Sequence, residues 1–403
     1  MCELNVSGLS QSLSAQAALA VDNLHQQKRS WLSKLAVDNF RNYQKANLQT
    51  DAPSVVLTGP NGVGKTNLLE AISLLAPGRG MRPAQYKHWP NANAQNPHWA
   101  VAATLQSADG ELQIGSGVMV DSAHVGRVMR FEGQTVSQTE IGGYISVSWL
   151  APYMDGIFVD SPSARRRFLD RLVIAFDPSH IGRMARYEKA LRQRSMLLSE
   201  GKGDAGWLQS LEAVLAETAV AVTAARQTLI RDLNQEAEAG WFGFPGVRLG
   251  LVGDTEQWLT DTPALQVEDK FMAAAKTARL AGDLAMPGPH TSDLQAMHLA
   301  SQTPAYLAST GQQKALLIAV VLAHARLQER RLGKSPLMLF DDVAAHLDAD
   351  CRSALFEAVG LLGGQCWFSG IDEQQFRDLT GKAQFILVRP ASRYDQTPEF
   401  EVK

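Results

Sequence analysis

The sequence Val55-Val56-Leu57-Thr58 runs directly into Gly59-Pro60-Asn61-Gly62-Val63-Gly64-Lys65-Thr66, and the apolar segment Asn67 to Leu75 follows. The first four residues have the character of a buried strand, and the last segment has helical periodicity. The eight residues between them fit the pattern G-x-x-x-x-G-K-[ST] without a mismatch, in the strand–loop–helix context that a phosphate cradle requires. The sequence therefore predicts a P-loop within an α/β fold.

A P-loop binds phosphates because its glycines let backbone N–H groups converge, while the following helix adds favourable dipole charge. We predict that Lys65 reaches the β- and γ-phosphates of ATP and that Thr66 ligates Mg²⁺. A glycine-rich turn that matches by chance is the alternative, and the flanking strand and helix argue against it. The predicted nucleotide contacts in this segment are Gly59, Pro60, Asn61, Gly62, Val63, Gly64, Lys65, Thr66 and Asn67.

A second apolar strand, Leu337 to Phe340, ends in the paired carboxylates Asp341 and Asp342. We predict that Asp341 holds Mg²⁺ and that Asp342 orients or deprotonates the attacking water. The alternative is a polar strand end that caps a nearby turn. The P-loop in the same chain favours the catalytic interpretation.

A third element, Ser309-Thr310-Gly311-Gln312-Gln313, precedes a strongly apolar helix. Ser309 and Gln312 have the spacing of a capping box. The element is also similar to the signature sequence of ABC-type ATPases, whose serine and glycine face the γ-phosphate bound by a second subunit. Ala344 to Asp348 is similar to the D-loop of that class, and Ser369 stands where many members carry histidine.

This resemblance implies an ATP-dependent homodimer in which each copy completes its partner's site. Ser309, Gly311, Gln312 and Asp348 would then contact nucleotide, and Ser369 would act in catalysis beside Lys65 and Asp342. A serine at the switch position predicts slow turnover.

The overall composition is that of a globular protein: 403 residues, 45% apolar, 20% charged, with a net charge of −3. Any DNA contact must therefore come from a local basic patch. The first thirty residues lack a signal-peptide pattern, and the apolar segment Ala315 to Ala323 is too short to cross a bilayer. We expect a cytoplasmic protein without membrane contact.

The chain divides into four predicted regions. Residues 1–30, rich in Ser, Gln and Ala, are expected to be a disordered extension. Residues 31–150 and 286–403 are the two parts of an ATPase head, and residues 151–285 form an inserted α-helical lever arm. A heptad-like stripe on the helix that opens at Asp204 predicts a packing seam. Its members are Leu208, Leu211, Leu215, Thr218, Val222, Ala225 and Leu229.

Five further segments resemble the RecF family of SMC-like, ABC-type ATPases. They are Asn39 to Tyr43, Gly78 to Arg82, Ser161 to Asp170, Gly288 to His290 and Asp341 to Val343. This chain departs from the family where Thr291 and Ser292 replace Arg-Asp, and where His346 replaces the usual acidic residue of the D-loop.

The resemblance implies an ABC-type P-loop ATPase head with an inserted helical arm. It implies an ATP- and Mg²⁺-dependent protein of recombinational repair and replication restart, with weak, DNA-stimulated ATPase activity. Such proteins bind gapped or duplex DNA as an ATP-gated dimer, and they act with RecR and RecO to help RecA replace single-strand-binding protein.

Basic residues cluster on two predicted helices of the arm. We predict backbone contacts to DNA from Arg165, Arg166, Arg167, Arg183, Arg186 and Arg194. The alternatives are a solvated face with local ion pairs to Asp170 and Glu188, and stabilisation of the head–arm junction by Arg165 to Arg167.

Three other classes of protein share parts of this pattern. A transporter ATPase subunit keeps its signature much closer to the P-loop, whereas about 240 residues separate Lys65 from Ser309 here. A tethering protein of the Rad50 or cohesin type needs hundreds of residues of coiled coil. A P-loop kinase has no need of Ser309 to Gln312.

Overall fold

The structure is a computed structural model. It describes residues 30–82, 88–92, 98–107, 110–120, 125–201, 204–390 and 398–402. The predicted N-terminal extension therefore lies outside the described residues except for Ser30.

The described chain contains both runs of strands and runs of helices. The strands are β1 (Trp31–Phe40), β2 (Tyr43–Gln49), β3 (Ser54–Thr58), β4 (Ala100–Ser107), β5 (Gly110–Val120), β6 (Val125–Phe131), β7 (Gln134–Val136), β8 (Val147–Leu150), β9 (Val247–Val252), β10 (Asp293–His298), β11 (Thr303–Pro304), β12 (Leu337–Asp341), β13 (Cys366–Ser369), β14 (Gln384–Arg389) and β15 (Glu399–Val402). The helices are α1 (Lys65–Ser73), α2 (Gln138–Ile141), α3 (Pro162–Ile174), α4 (His180–Ser199), α5 (Ala205–Ala237), α6 (Asp254–Asp261), α7 (Ala264–Leu280), α8 (Thr310–Leu332) and α9 (Ala349–Gly360).

The head contains a largely parallel sheet of strand order β15-β14-β3-β13-β12-β8, in which only β15 pairs antiparallel. Its central strands are almost completely buried, as expected for a sheet covered on both faces. Strand β13 lies between β3, which leads into the P-loop, and β12, which ends in the acidic pair. Because these strands are parallel, their carboxyl ends meet at one edge of the sheet.

A second, antiparallel sheet has the order β2-β1-β4-β5-β6-β7. Buried and exposed side chains alternate along β1, which sets the register of this sheet: Leu35 and Val37 are buried, whereas Ala36 between them is exposed. Neighbouring strands of this sheet all pair antiparallel. The tight turn between β1 and β2 carries Arg41 and Asn42 to the P-loop.

The arm is built on α4, α5 and α7, which share a small apolar core of their own around Tyr187, Leu215 and Phe271. The predicted seam on α5 is buried from Leu208 to Leu229, with Ala225 only partly buried. Asp204 caps this helix as predicted, accepting hydrogen bonds from the N–H groups of Gly206 and Trp207.

The carboxyl half of α5 enters the core of the head through Leu229, Ile230 and Leu233. Strand β9 pairs with β10, so the predicted boundary at residue 285 separates two strands of one sheet. Within the described residues, α5 alone is long and apolar enough to cross a membrane by length and composition, and 56% of its most apolar window is buried inside the protein. Packing between neighbouring helices explains that apolar character.

Candidate nucleotide-binding site

The loop after β3 curves around the ammonium group of Lys65. Helix α1 begins at Lys65, and its cap residue Gly64 has a left-handed backbone with φ of 118°. The Lys65 Nζ donates hydrogen bonds to the backbone oxygens of Gly59 at 2.7 Å and Pro60 at 2.8 Å. Burial lowers the pKa of Lys65, and the nearby Asp342 and Asp341 carboxylates partly oppose that effect. A partly desolvated cation of this kind favours an added anion.

At two positions of the loop, neighbouring atoms lie so close to the backbone that only glycine fits. At Gly59, with φ of 140°, a Cβ would lie 2.3 Å from the backbone oxygen of Val388. At Gly64 it would lie 2.5 Å from Asn42 Nδ2. Any larger residue would therefore displace the neighbours that shape the loop.

Four residues from three separate segments meet at the edge of the parallel sheet. Thr66 Oγ1 donates to Asp341 Oδ1 at 2.7 Å, and Ser369 Oγ donates to the same oxygen at 2.7 Å. Ser369 Oγ in turn accepts from the backbone N–H of Asp342 at 3.0 Å. The structure thus brings Thr66, Asp341, Asp342 and Ser369 together.

Asp342 has an unusual backbone and an unused acceptor. Its φ is 52°, in the left-handed region that few residues adopt. Its Oδ1 is buried, and within the described part of the chain it accepts no hydrogen bond. A carboxylate oxygen in that state can accept a hydrogen bond from a water molecule.

The donor atoms at this edge fit a Mg²⁺ ion. Thr66 offers a hydroxyl and Asp341 a carboxylate, and both are hard oxygen ligands. The described residues contain no cluster of three or more His, Cys, Asp or Glu side chains that could hold a metal. A magnesium ion would therefore need phosphate and water oxygens as its remaining ligands, as is usual for magnesium–nucleotide sites.

The turn between β1 and β2 supports the loop from outside. Asn42 Nδ2 donates to the Val63 oxygen at 2.9 Å, and the Tyr43 hydroxyl donates to the Gly64 oxygen at 3.2 Å. Asn67 Nδ2 donates to Asn42 Oδ1 at 2.8 Å. Sequence reasoning assigned no individual contact to Asn42 or Tyr43, because 21 positions separate each from its partner in the chain.

A charged cluster anchors the same turn to α1. Arg41, with φ of 55°, forms a bidentate pair with Glu70, which is only 1% exposed at its side chain. Arg82 lies 3.9 Å from Glu70 and donates to Asn67 Oδ1 at 3.4 Å. This cluster fixes one side of the helix that begins at Lys65.

The predicted signature element caps α8. Gln312 N–H donates to Ser309 Oγ at 3.3 Å and Ser309 N–H to Gln312 Oε1 at 3.0 Å, which confirms the capping box. Ser309, Gly311 and Gln312 are exposed, and a Cβ on Gly311 would meet nothing within 4 Å. In the described part of the chain, no hydrogen bond joins these three residues to residues 59–67.

The surroundings of the signature element are also open. Tyr306 and Leu307, just before it, are 60% and 65% exposed. Asp348 is exposed and caps α9 by accepting from Cys351 N–H at 2.7 Å. The side chain of His346 lies outside the described part of the structure.

The predicted basic patch is only partly available to a ligand. Arg194 is fully buried, pairs with Glu212 at 3.2 Å and donates to the Ala275 oxygen, so its prediction as a DNA contact is wrong. A buried guanidinium completes the arm core, and helical spacing alone could not reveal that.

The other predicted arginines differ in how far they are committed to internal partners. Arg165 forms a bidentate pair with Asp293, and Arg166 donates to the Ser292 oxygen at 2.6 Å. Both therefore belong to the junction between arm and head, the alternative that their sequence left open. Arg183 pairs with Asp177. Arg167 and Arg186 remain exposed, and Arg186 forms a surface ion pair with Glu217 at 3.3 Å.

The junction contains a buried polar network around the Gly288–His290 segment. Arg226 pairs with Asp170 through two hydrogen bonds and donates to the Pro289 oxygen at 2.6 Å. The Tyr187 hydroxyl lies 2.6 Å from His290 Nδ1. Thr291 and Ser292, where the family usually has Arg-Asp, bond to the Gly288 oxygen and to Glu256.

These features define a class of protein: an ABC-type P-loop ATPase head with an inserted helical arm. A sequence model described as the RecF/RecN/SMC N terminal domain matches residues 31–385. A protein of Mesorhizobium japonicum named DNA replication and repair protein RecF is 42% identical over 365 residues, covering 89% of this chain and 96% of that relative. A protein of Agrobacterium fabrum with the same name is 42% identical over 363 residues, with the same coverage. The chain belongs to the RecF family.

Solved structures agree on the fold. The structure entitled recombination mediator protein RecF-ATP in RecFOR pathway matches with a TM-score of 0.76, at 22% identity, over 93% of this chain and 99% of that one. The Smc head domain of Pyrococcus furiosus with an extended coiled coil matches with a TM-score of 0.51, at 17% identity, over 93% of this chain and 96% of that one.

Proposed function

We propose that this protein is a cytoplasmic, ATP-dependent DNA-binding protein of recombinational repair and replication restart. It binds gapped or duplex DNA as an ATP-gated homodimer, and it assists RecA loading together with RecO and RecR. The observation that carries the proposal is the meeting of Thr66, Asp341, Asp342 and Ser369 beside the P-loop, combined with family membership. The name that the relatives share supports the repair role.

The nucleotide is held by the loop from Gly59 to Asn67. Lys65 exchanges its two carbonyl partners for phosphate oxygens, which are better partners because they carry charge. Thr66 and Asp341 hold Mg²⁺, which neutralises phosphate charge when bound. Asp342 orients the attacking water and accepts its proton, and Ser369 keeps the two aspartates in register.

Dimerisation follows from what each protomer lacks. Ser309, Gly311 and Gln312 form an exposed helix N-terminus, where the helix dipole favours a phosphate. In the described residues no hydrogen bond joins them to their own P-loop, so the nucleotide that they bind is the one held by a second copy. Asp348 lies on the same proposed interface. Hydrolysis then weakens the dimer, and the activity is a weak ATPase that DNA stimulates.

DNA is held by backbone contacts from the exposed arginines of the arm, Arg167 and Arg186, with Arg183 able to join if it leaves Asp177. Such contacts carry no sequence information. This arrangement suits a protein that recognises DNA structure.

A binding assay tests this proposal. Fluorescently labelled gapped, duplex and single-stranded DNA are titrated with and without ATP and Mg²⁺, using the Lys65→Ala variant as a matched control. We expect ATP to tighten binding to gapped or duplex DNA at least tenfold for the natural chain and not for Lys65→Ala, which loses tight ATP binding. Equal DNA affinity with and without ATP would contradict the proposal.

A further inference from the structure

A groove of about 530 Å³ opens between the head and the arm, away from the nucleotide site. One side is formed by the loop after α1, Gly78 to Met81, and by the end of β8; the other side is formed by α3 and α4. Its walls are mainly apolar, and they include Met154, Ile157, Ile174, Ile181 and Met184. No residue of the P-loop lines it. The volume is in the range typical of ligand sites.

Arg171 on α3 contributes an unneutralised positive charge to this groove. Its guanidinium lies 4.2 Å from the centre of the Trp149 ring and 5.1 Å from that of Phe168. Its polar contacts are long: 3.5 Å to the Trp149 oxygen and 3.6 Å to Met154 Sδ. In the described residues, no carboxylate lies within 4.0 Å of it.

The surroundings of Arg171 make an unpaired positive charge energetically unfavourable. Burial lowers the pKa of Arg171 to about 10, although the side chain keeps some contact with solvent. Cation–π contacts recover only part of the lost hydration. Five N–H donors in a fixed fork are best satisfied by an oxyanion with two acceptor oxygens.

The acids that line the groove do not meet that need. Asp170 is committed to Arg226 and His180, and Glu188 pairs with Arg192 at 3.7 Å across one helical turn. Asp160 accepts from the backbone N–H of Ser161. The rim also carries the exposed Arg79. The interior of the groove therefore favours an incoming anion.

The walls indicate what else the ligand contains. The guanidinium of Arg171 lies over the rings of Trp149 and Phe168, which leaves them poorly placed to stack on a nucleic-acid base. Tyr153 also lines the groove, and its hydroxyl is bonded to Trp149 Nε1 and to the Met81 oxygen. The aliphatic walls instead suit a branched or aromatic side chain that leaves water. We propose that this groove is a docking site for a partner polypeptide that inserts a bulky apolar side chain next to a carboxylate. The occupant contacts head and arm at once.

A selection from a phage library of random twelve-residue peptides tests the site. The natural chain is the target, and binders are then measured as labelled peptides by fluorescence polarisation. The Arg171→Met variant removes the cation at similar volume. The Ala185→Trp variant fills the groove from the opposite wall at an exposed position, so that the test does not depend on one variant folding. The matched control is Lys189→Met, an exposed residue of the same helix outside the groove.

We expect enriched peptides that share Asp or Glu beside a large apolar residue. Their affinity should fall at least tenfold with Arg171→Met and with Ala185→Trp, and it should be unchanged with Lys189→Met. Exchanging the peptide's acids for amides should cause a similar loss. Absence of enrichment above background, or affinities that ignore both groove variants, would each overturn the proposal.

Discussion

Two features of Asp342 lower the stability of the folded protein. Its backbone is left-handed, and one of its carboxylate oxygens is buried without a hydrogen-bond donor among the described residues. Each costs about 1–3 kcal/mol. A catalytic role gives a reason for keeping such a residue at the end of β12. Asparagine tolerates the same backbone region but cannot accept a proton.

The Asp342→Asn variant should therefore hydrolyse ATP about 10²- to 10⁴-fold more slowly, which is the usual loss when a general base is removed. Its ATP affinity should change little, because Lys65 and Thr66 are intact. Phosphate release under saturating ATP measures the first quantity, and an equilibrium titration measures the second. Turnover equal to that of the natural chain would exclude Asp342 as the base.

His324 predicts a pH dependence of stability. It is buried in the core between Leu172, whose backbone oxygen lies 3.0 Å from Nε2, and Gln328, whose amide lies 3.1 Å from Nδ1. Burial lowers the pKa of His324 to about 4, although the hydrogen bond to the Leu172 oxygen acts to raise it. Between pH 6.5 and 4 the unfolded chain binds a proton at this position that the folded chain does not. The free energy of unfolding must therefore fall as pH falls through this window.

Replacing His324 with Gln should lower by about one the number of protons that the chain takes up on unfolding in this pH window. The slope of the free energy of unfolding against pH, measured by denaturant titration between pH 5.5 and 4.5, should decrease by about 1.4 kcal/mol per pH unit. An unchanged slope would mean that His324 is already protonated in the folded protein or stays neutral in both states.

Among the structural elements, α3 and α4 divide their arginines between two tasks. Arg165 and Arg166 bond to Asp293 and the Ser292 oxygen, whereas Arg167 and Arg186 are exposed. The sequence analysis assigned all of them to one basic patch, because helical spacing shows which face a side chain shares but not which residue it pairs with. Asp293 is 128 positions away from Arg165 along the chain, so its pairing depends on tertiary structure.

The two groups of arginines should respond differently to mutation. Changing Arg167 and Arg186 together to Ala should reduce the slope of log affinity for duplex DNA against log salt concentration by about 1.8, the expectation for two lost phosphate contacts. Arg165→Ala should lower the melting temperature and leave that slope unchanged. If the slope changed with Arg165→Ala and not with the double variant, Arg165 would be the DNA contact and Arg167 and Arg186 would not.

Elements with a strong local signal were predicted well. The caps at Ser309 and Asp204 follow from side chains that bond to the backbone a few residues away. Strands β3 and β12 follow from short, continuous apolar runs. Helix α1 begins two residues earlier than the apolar pattern predicted, because the P-loop itself supplies its first turn. The polar residues Lys65 and Thr66 hide that start from a hydrophobicity pattern.

For the whole molecule, the fold class and the grouping of the nucleotide motifs could be predicted, whereas the pairing of residues within the arm could not. The motifs indicated an ABC-type head because their order along the chain is specific. The buried pairs Arg194–Glu212 and Arg226–Asp170 could not be foreseen, since each depends on how arm helices pack. The same holds for β9, which pairs with a strand beyond the predicted end of the arm.

The proposed dimer requires that the exposed signature element of one copy meet the nucleotide of another. Multi-angle light scattering of the Asp342→Asn chain with ATP and Mg²⁺ measures this, because blocked hydrolysis preserves the complex. We predict a mass of about twice 43.8 kDa, and a return to 43.8 kDa when Ser309→Arg is added without loss of ATP affinity. A chain that stays monomeric with ATP bound, or a Ser309→Arg variant that still dimerises, would contradict the account.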